Sequence, residues 1–573
     1  MSSWMGGVMS GRNTAREYVI DGGNFSIKNY TGSGVYIDWG DNTFEEISTG
    51  TISHTYPASG KYIFRLWSQN LDGNGDEYAD IRSDSTYRYN LTEINNWGLL
   101  KQEYINDTNG FENHDYISFS PFIRDYPRVN NGNWQESFRT GYANPNPSWT
   151  TEEPPLNWDM SNVTNMRNMF LGCSNFNADL SSWDVSNVTD MEGVFFSTFA
   201  GIPAGQFNNG FPSGATGATR DGVWVDNVMP WNVSNCTDFY RMFQQQDGFN
   251  SDITSWDVSN ATSHSSMFYG TSFNHDVGSW DVSSSTRLDE MFRLASSFNC
   301  GLASGVTHTR MYDWDTSSNT NMSRMFDNAS SFNGDISQWN TSNVTNMSFC
   351  FANGANFTCG GATGISWDTS NVTTMQQMFQ HQNSFNCDIR TWNVGNVTNF
   401  QVWMIAFGTY PIFNNGFSSG TSYTWNWNTS SVTNFNTMFG NCSSMNADVG
   451  GWDISSATNM FRMFSNCSSF DQDISGWNIS TSLSTSSNSG MGQMLNNTNL
   501  SVENYSRFLV SLANQVYDNG ASPTGIYLGA SGLQYHNTTY SGYGSGQFTD
   551  AVSARAYLTG ITGGWTITDA GQV

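Results

Sequence analysis

Phe332-Asn333-Gly334-Asp335-Ile336-Ser337-Gln338-Trp339-Asn340-Thr341-Ser342-Asn343-Val344-Thr345-Asn346-Met347 is one copy of a unit that fills the middle of a 573-residue chain. Its tryptophan returns as Trp158, Trp183, Trp231, Trp256, Trp280, Trp314, Trp339, Trp367, Trp392, Trp427, Trp452 and Trp477. The copies follow the form W-[DN]-x-S-[NS]-x-T-x-[MF]-x-x-M-F and then a second Phe-Asn, with single-position departures in several and the Trp477 copy diverging after its first residues. A period of about 25 residues marks stacked coils, because one such unit is too small to bury its own apolar face. The pattern predicts a mainly β fold with a solenoid over residues 151–490. Within a unit, the Thr six residues after the Trp (Thr164, Thr320, Thr345) is placed to cap one helical turn. That turn sets Met322, Met325 and Phe326 on one face, and Phe332 to Trp339 suits a short strand in a parallel sheet.

Composition narrows the partners. Charged residues are 12% of the chain, the net charge is −27, and Lys28, Lys61 and Lys101 are its lysines. Phosphate neutralisation needs Lys and Arg, so a nucleic-acid partner is not expected, nor is an anionic membrane surface. No stretch reaches the roughly 18 apolar residues of a membrane span. The 15% of aromatic residues, held in register, argue for a packed core rather than disorder. Cys442 and Cys467 share one repeat position on adjacent units and read as buried thiols, with a disulfide or metal as the alternative. Residues Met1 to Ser10 lack a charged segment and a continuous apolar run, so no secretory leader is expected.

Residues 1–69 show short alternating runs between Gly, Asp and Asn turns, the pattern of a β-sandwich. Tyr36-Ile37-Asp38-Trp39-Gly40-Asp41-Asn42, with His54-Thr55-Tyr56 and Gly60-Lys61-Tyr62, resembles the polycystic-kidney-disease (PKD) type immunoglobulin-like domain, Asn42 replacing its usual Gly. That resemblance implies a spacer or attachment module. Residues 70–150 are irregular and read as linker and N-terminal cap; residues 491–573 read as the C-terminal cap, with a helix over Ser501 to Tyr517. The tandem units, such as Trp339 to Met347 with Ser330-Ser331-Phe332-Asn333, resemble the bacterial surface protein 26-residue repeat family, relatives of the BspA-like leucine-rich repeats. The resemblance implies a leucine-rich-repeat-like solenoid of microbial surface proteins and phage-encoded proteins, binding rather than catalysis.

Four units are longer than the rest, and the additions enter between the second Phe and the next Trp. Additions at one repeat position emerge on one edge, which in repeat proteins is often the binding face. They carry Phe207, Phe211, Trp224, Tyr312, Phe413, Phe417, Tyr423 and Trp425, which are either ligand-facing rings or packing within the additions. An acidic row, Asp179, Asp252, Asp276, Asp335, Asp388, Asp448 and Asp473, occupies one position. Adjacent carboxylates such as Asp448 and Asp473 repel unless solvent, asparagine, backbone donors or a bound Ca²⁺ intervene. No other cofactor is expected. No metalloprotease, P-loop or nucleophile-elbow motif occurs, so no catalytic residue is named and the chain reads as not an enzyme. The expectation is a bacteriophage virion protein (tail fibre, spike or capsid-surface protein). It would dock to other virion proteins through its N-terminal region and bind a host surface glycan or protein, with a homo-oligomer an open option. A bacterial cell-surface adhesin is the alternative, and a polysaccharide depolymerase a lesser one.

Overall fold

In a computed structural model, the described residues are 158–573, apart from 198–203, 221–222, 355 and 405–410. Ahead of these they comprise the strands named below, Lys101–Gln102, Arg128–Val129 and residues 39, 43, 56 and 134. The described residues hold two α-helices and several small sheets, so the fold is mainly non-helical. The chain divides into two compact units, residues 1–275 with 280–284, and residues 276–279 with 285–573.

The first unit begins with two sheets. One orders its strands Ser118–Phe119, Leu91–Asn96, Arg16–Asp21, Lys61–Ser68, Val35–Asp38 and Phe44–Ile47; the other orders Gly50–Thr55, Asn24–Asn29 and Ile81–Ser83. A boundary at residue 69 is therefore corrected. Ile81–Ser83 pairs with Asn24–Asn29 and Leu91–Asn96 pairs with Arg16–Asp21, so one module takes strands from both sides of it. Most of the linker stretch 70–150 lies outside the described residues. Trp39 is buried, stacks on His54 at 4.7 Å and donates from its indole to Glu45 at 2.8 Å. The Tyr56 hydroxyl donates to the Trp39 carbonyl at 3.0 Å, closing the group.

The repeats of each unit are joined by columns of rings. In the first unit Trp158, Trp183, Trp231 and Trp256 stack at 5.5, 6.0 and 6.0 Å. In the second, Trp314, Trp339, Trp367 and Trp392 do so at 5.8, 6.4 and 5.9 Å. All are 3% exposed or less. The indole N–H also works: Trp367 donates to the Ile336 carbonyl at 2.9 Å and Trp392 to that of Ile365 at 2.7 Å. A tryptophan thus fills the core and satisfies a buried acceptor of the preceding repeat, which explains its return. Two phenylalanine columns run beside it, such as Phe326–Phe351–Phe379 at 5.6 Å per step and Phe332–Phe357–Phe385 at 6.0 Å.

The segment after each Thr is not a helical turn. Phe349 and Asn353 have φ of 59° and 60°, in the left-handed region that a right-handed helix excludes. The alternation aims every second N–H at the next repeat. Met347, Phe349, Phe351 and Asn353 donate to the carbonyls of Thr374, Gln376, Met378 and Gln380 at 2.7–3.1 Å. The intervening Cys350 and Ala352 donate three residues back. The threonine is not a cap either. Thr373 donates from both its amide (2.9 Å) and its hydroxyl (3.1 Å) to the Thr345 carbonyl, running opposite to the turn bonds. The local acceptor is the next residue, as where Asn346 Oδ1 receives the Ser348 amide at 2.9 Å. The expected strands shrink mostly to single parallel bridges, such as His308 to Gly334 and Gly364 to Asp388.

Behind the last repeat, helix α1 (Val502–Asp518) starts at Ser501, whose hydroxyl accepts the Asn504 amide, and buries Leu509, Leu512 and Val516. Helix α2 (Ala551–Gly560) is capped by Asp550. Strands Tyr527–Gly529 and Thr566–Thr568 pair in parallel, and the Gly529 and Ser531 carbonyls accept the amides of Leu495 and Asn497. The C-terminal segment thereby receives the bonds that another repeat would have taken. No helix among the described residues is long and apolar enough to cross a membrane.

Candidate functional site

Three of the four longer repeats share a loop built on an asparagine, the fourth having Thr358 at that position. The segments Phe207-Asn208-Asn209-Gly210, Phe298-Asn299-Cys300-Gly301 and Phe413-Asn414-Asn415-Gly416 each place a left-handed residue before a left-handed Gly. Asn208 Nδ2 donates to the Pro212 and Ala215 carbonyls at 2.6 and 2.9 Å. Asn299 donates to Ala303 and Val306 at 2.7 and 2.9 Å, and Asn414 to Ser418 and Thr421 at 2.6 and 3.1 Å. The same side chains accept from the next repeat, where the Asn333 amide meets Asn299 Oδ1 at 2.9 Å and the Asn446 amide meets Asn414 Oδ1 at 3.0 Å. A buried amide with all these bonds made rigidifies a loop that would otherwise be free. The recurring F-N-x-G spelling was the signal for this scaffold.

The placement of the aromatic residues follows. Phe207 and Phe413 are corrected to core residues: each is the second Phe of its repeat, Phe207 stacking on Phe176 at 5.8 Å and Phe413 on Phe385 at 5.8 Å. Part of each addition therefore precedes the second Phe. Phe211 is 3% exposed. Trp425 is 1% exposed and takes an inner slot, its carbonyl receiving the Trp452 indole at 2.7 Å. A ligand cannot reach these four rings. Tyr423 is nearly buried against Phe417 at 4.5 Å, and burial pushes its phenol far above the usual value. Phe417 is half-buried beneath the Arg390 guanidinium at 4.9 Å. Arg390 also grips Asp388 at 2.7 Å, a bond that holds the Asp388 carboxyl below its ordinary range. Tyr312 is half-buried.

Trp224 differs from the others. It is 59% exposed on the hairpin of Gly217–Arg220 with Val223–Asp226, beside Val225 and Val228 at 37% and 38%. Its indole donates to Asp226 at 2.7 Å and its ring lies over Gly217, where an added Cβ would sit 2.7 Å from ring carbon. The glycine thus makes room for a ring that is held flat yet presented to solvent.

The acidic row serves the backbone. Asp179, Asp252, Asp276, Asp335, Asp388, Asp448 and Asp473 each accept, through Oδ1, the amide two residues on, at 2.9–3.0 Å. Among the described residues no three His, Cys, Asp or Glu side chains are grouped to hold a metal ion, Asp448 and Asp473 included. Cys442 and Cys467 are buried free thiols, raised above the ordinary thiol pKa by burial, whereas Cys359 and Cys387 form a disulfide with Cα atoms 6.3 Å apart.

Repeats with one shared set of core rings and backbone bonds, extended by asparagine-held loops, define a tandem-repeat protein. The chain belongs to the DUF285 family, described as a Mycoplasma protein of unknown function, whose model matches residues 145–210, 219–305, 302–418 and 411–508. No curated protein and no solved structure matches it.

Proposed function

We propose that this chain is a non-enzymatic adhesion protein, a capped solenoid with an N-terminal PKD-like β-sandwich. It serves as a bacteriophage virion component that attaches to a host surface glycan or protein. The solenoid reading is supported by the ring columns and by parallel bridges between successive repeats. The N-terminal reading is supported by the closed group of Trp39, His54 and Tyr56. The observation that carries the binding role is Trp224, a large apolar ring kept in water and fixed by Gly217 and Asp226. Such rings serve as anchors at interfaces and as stacking faces for sugars. An acidic, lysine-poor surface suits a partner that is not polyanionic.

A second reading, a bacterial cell-surface adhesin, is favoured by the family's Mycoplasma description. Fluorescently labelled full-length chain is expected to adhere to host cells, and Trp224→Ala to reduce that adherence about tenfold with the fold unchanged. Equal adherence of the variant would remove the hairpin from the binding surface. Peptides of the chain in purified particles would place it in a virion, and peptides in washed cell envelopes on a cell.

A further inference from the structure

The second unit contains a groove of about 650 Å³, between the last two repeats and the segments that follow them. Its walls include Asp448, Gln472, Asp473 and Asn478 from the repeats, Gln515 from α1, and Tyr543 from the loop ahead of α2. The volume lies within the range of about 300–1,000 Å³ typical of small-molecule sites. We propose that this groove binds a neutral oligosaccharide, a subsite that deepens the adhesion reading above and rests on it.

The floor points to an occupant. The position before the repeat tryptophan carries Ser182, Ser255, Ser279, Gln338 and Thr391 in earlier repeats and glycine in the last two, Gly451 and Gly476, of which Gly476 lines the groove. Gly476 lacks a left-handed φ, and an added Cβ would meet only the Gly450 carbonyl at 3.2 Å. Backbone geometry therefore does not demand glycine, and tight packing does so only mildly. What glycine does is leave the floor bare, exposing peptide groups to whatever enters.

The walls specify the chemistry. Asp473 is paired with Arg507 at 3.3 Å and braced by Ser475, while Asp448 has no cationic partner among the described residues. The groove is therefore net negative and repels uronic or sialic acids. It also lacks the third ligand side chain that would hold a metal ion. Carboxylates and amides accept and donate to vicinal hydroxyls. Tyr543 supplies an aromatic wall, its hydroxyl tied to Ser475 Oγ at 3.0 Å, so repeat and C-terminal loop are bridged at the rim. Carboxylates, amides, bare peptide groups and one ring together match a polyhydroxylated, uncharged ligand.

The test is isothermal titration calorimetry of the full chain with cellotriose, maltotriose and chitotriose, with sialyllactose and calcium chloride as controls. At least one neutral trisaccharide is expected to bind, and sialyllactose and calcium to give no heat. Gly476→Gln, the residue present at Gln338, should abolish the signal, and Tyr543→Ala should weaken it about tenfold. No heat from any of the three neutral probes overturns the proposal. So does undiminished binding by Gly476→Gln, or heat from calcium alone. If these fail while Trp224→Ala still impairs adherence, the groove is wrong and the adhesion reading stands.

Discussion

Between Trp339 and Trp392 the indoles lie within 4° of parallel, whereas from Trp392 to Trp452 indoles set edge-on crowd the ring column, which stacks again only at Trp427 and Trp452. In the second stretch Trp403 stands where other repeats carry Met, and Met404 where they carry Phe. Trp403 meets Phe379, Phe400, Phe413 and Phe439 at 76–83°, and Trp425 crosses Trp427 at 61° and Trp452 at 71°. The indoles of Trp367 and Trp392 donate to carbonyls, but those of Trp403, Trp425 and Trp427 are buried without an acceptor. The two stretches show that filled volume is what the core requires throughout. The indole hydrogen bond is a second layer, kept by Trp231 and Trp314 even after a longer repeat and given up by Trp427, beside which Trp403 and Trp425 stand edge-on.

The largest blow to this contrast should come from volume itself. Trp339→Ala empties a slot in the regular stretch and should cost about 3–5 kcal/mol, read as a fall in the denaturant midpoint. Trp392→Phe keeps most of the ring but leaves the Ile365 carbonyl without its donor, an expected loss of about 1–3 kcal/mol. Trp403→Phe instead removes an unpaired N–H, and its expected change is within about 1 kcal/mol. Equal losses for these two variants would show that the indole bonds do not distinguish the stretches.

A third way of filling such a slot is His264, which occupies the first Met position of its repeat and stacks on Phe239 at 5.6 Å. Burial lowers its pKa to about 4. The unfolded chain, titrating near the usual value of about 6.5, then binds the proton first. This group's contribution to stability is complete above pH about 6.5 and is lost as the pH falls through about 4. His264→Met should flatten that limb of a plot of unfolding midpoint against pH. The smallest effect belongs to the surface: Trp224→Ala should change stability by no more than about 0.5 kcal/mol.

The repeat was legible because its large rings are spaced by the unit length, and burial of Trp158 to Trp477 follows from that spacing alone. Helix α1 was legible too, from Ser501 and the apolar face of Leu509, Leu512 and Val516. The turn after Thr345 was not, since its Met and Phe spacing mimics a helix. Its left-handed Phe349, like Arg324 and Gln377 at the same position of neighbouring repeats, carries no glycine-like signature. What settles that conformation is the neighbouring repeat, which accepts every second amide. The loop residues misled in a similar manner. Phe207 and Phe413 count as additions by position in the chain, yet they belong to a core column that only three-dimensional stacking identifies. Trp224 stayed exposed for a reason written in Gly217, seven residues away and across a hairpin.

Because amides of the turn run forward and those of the threonine run back, every junction in the regular stretches is made from the same set of partners. A duplicated or deleted unit would meet its neighbours through bonds already in place. Relatives of this chain should therefore differ in length by whole units, with the end pieces preserved, and growth by copying needs no new interface to be invented.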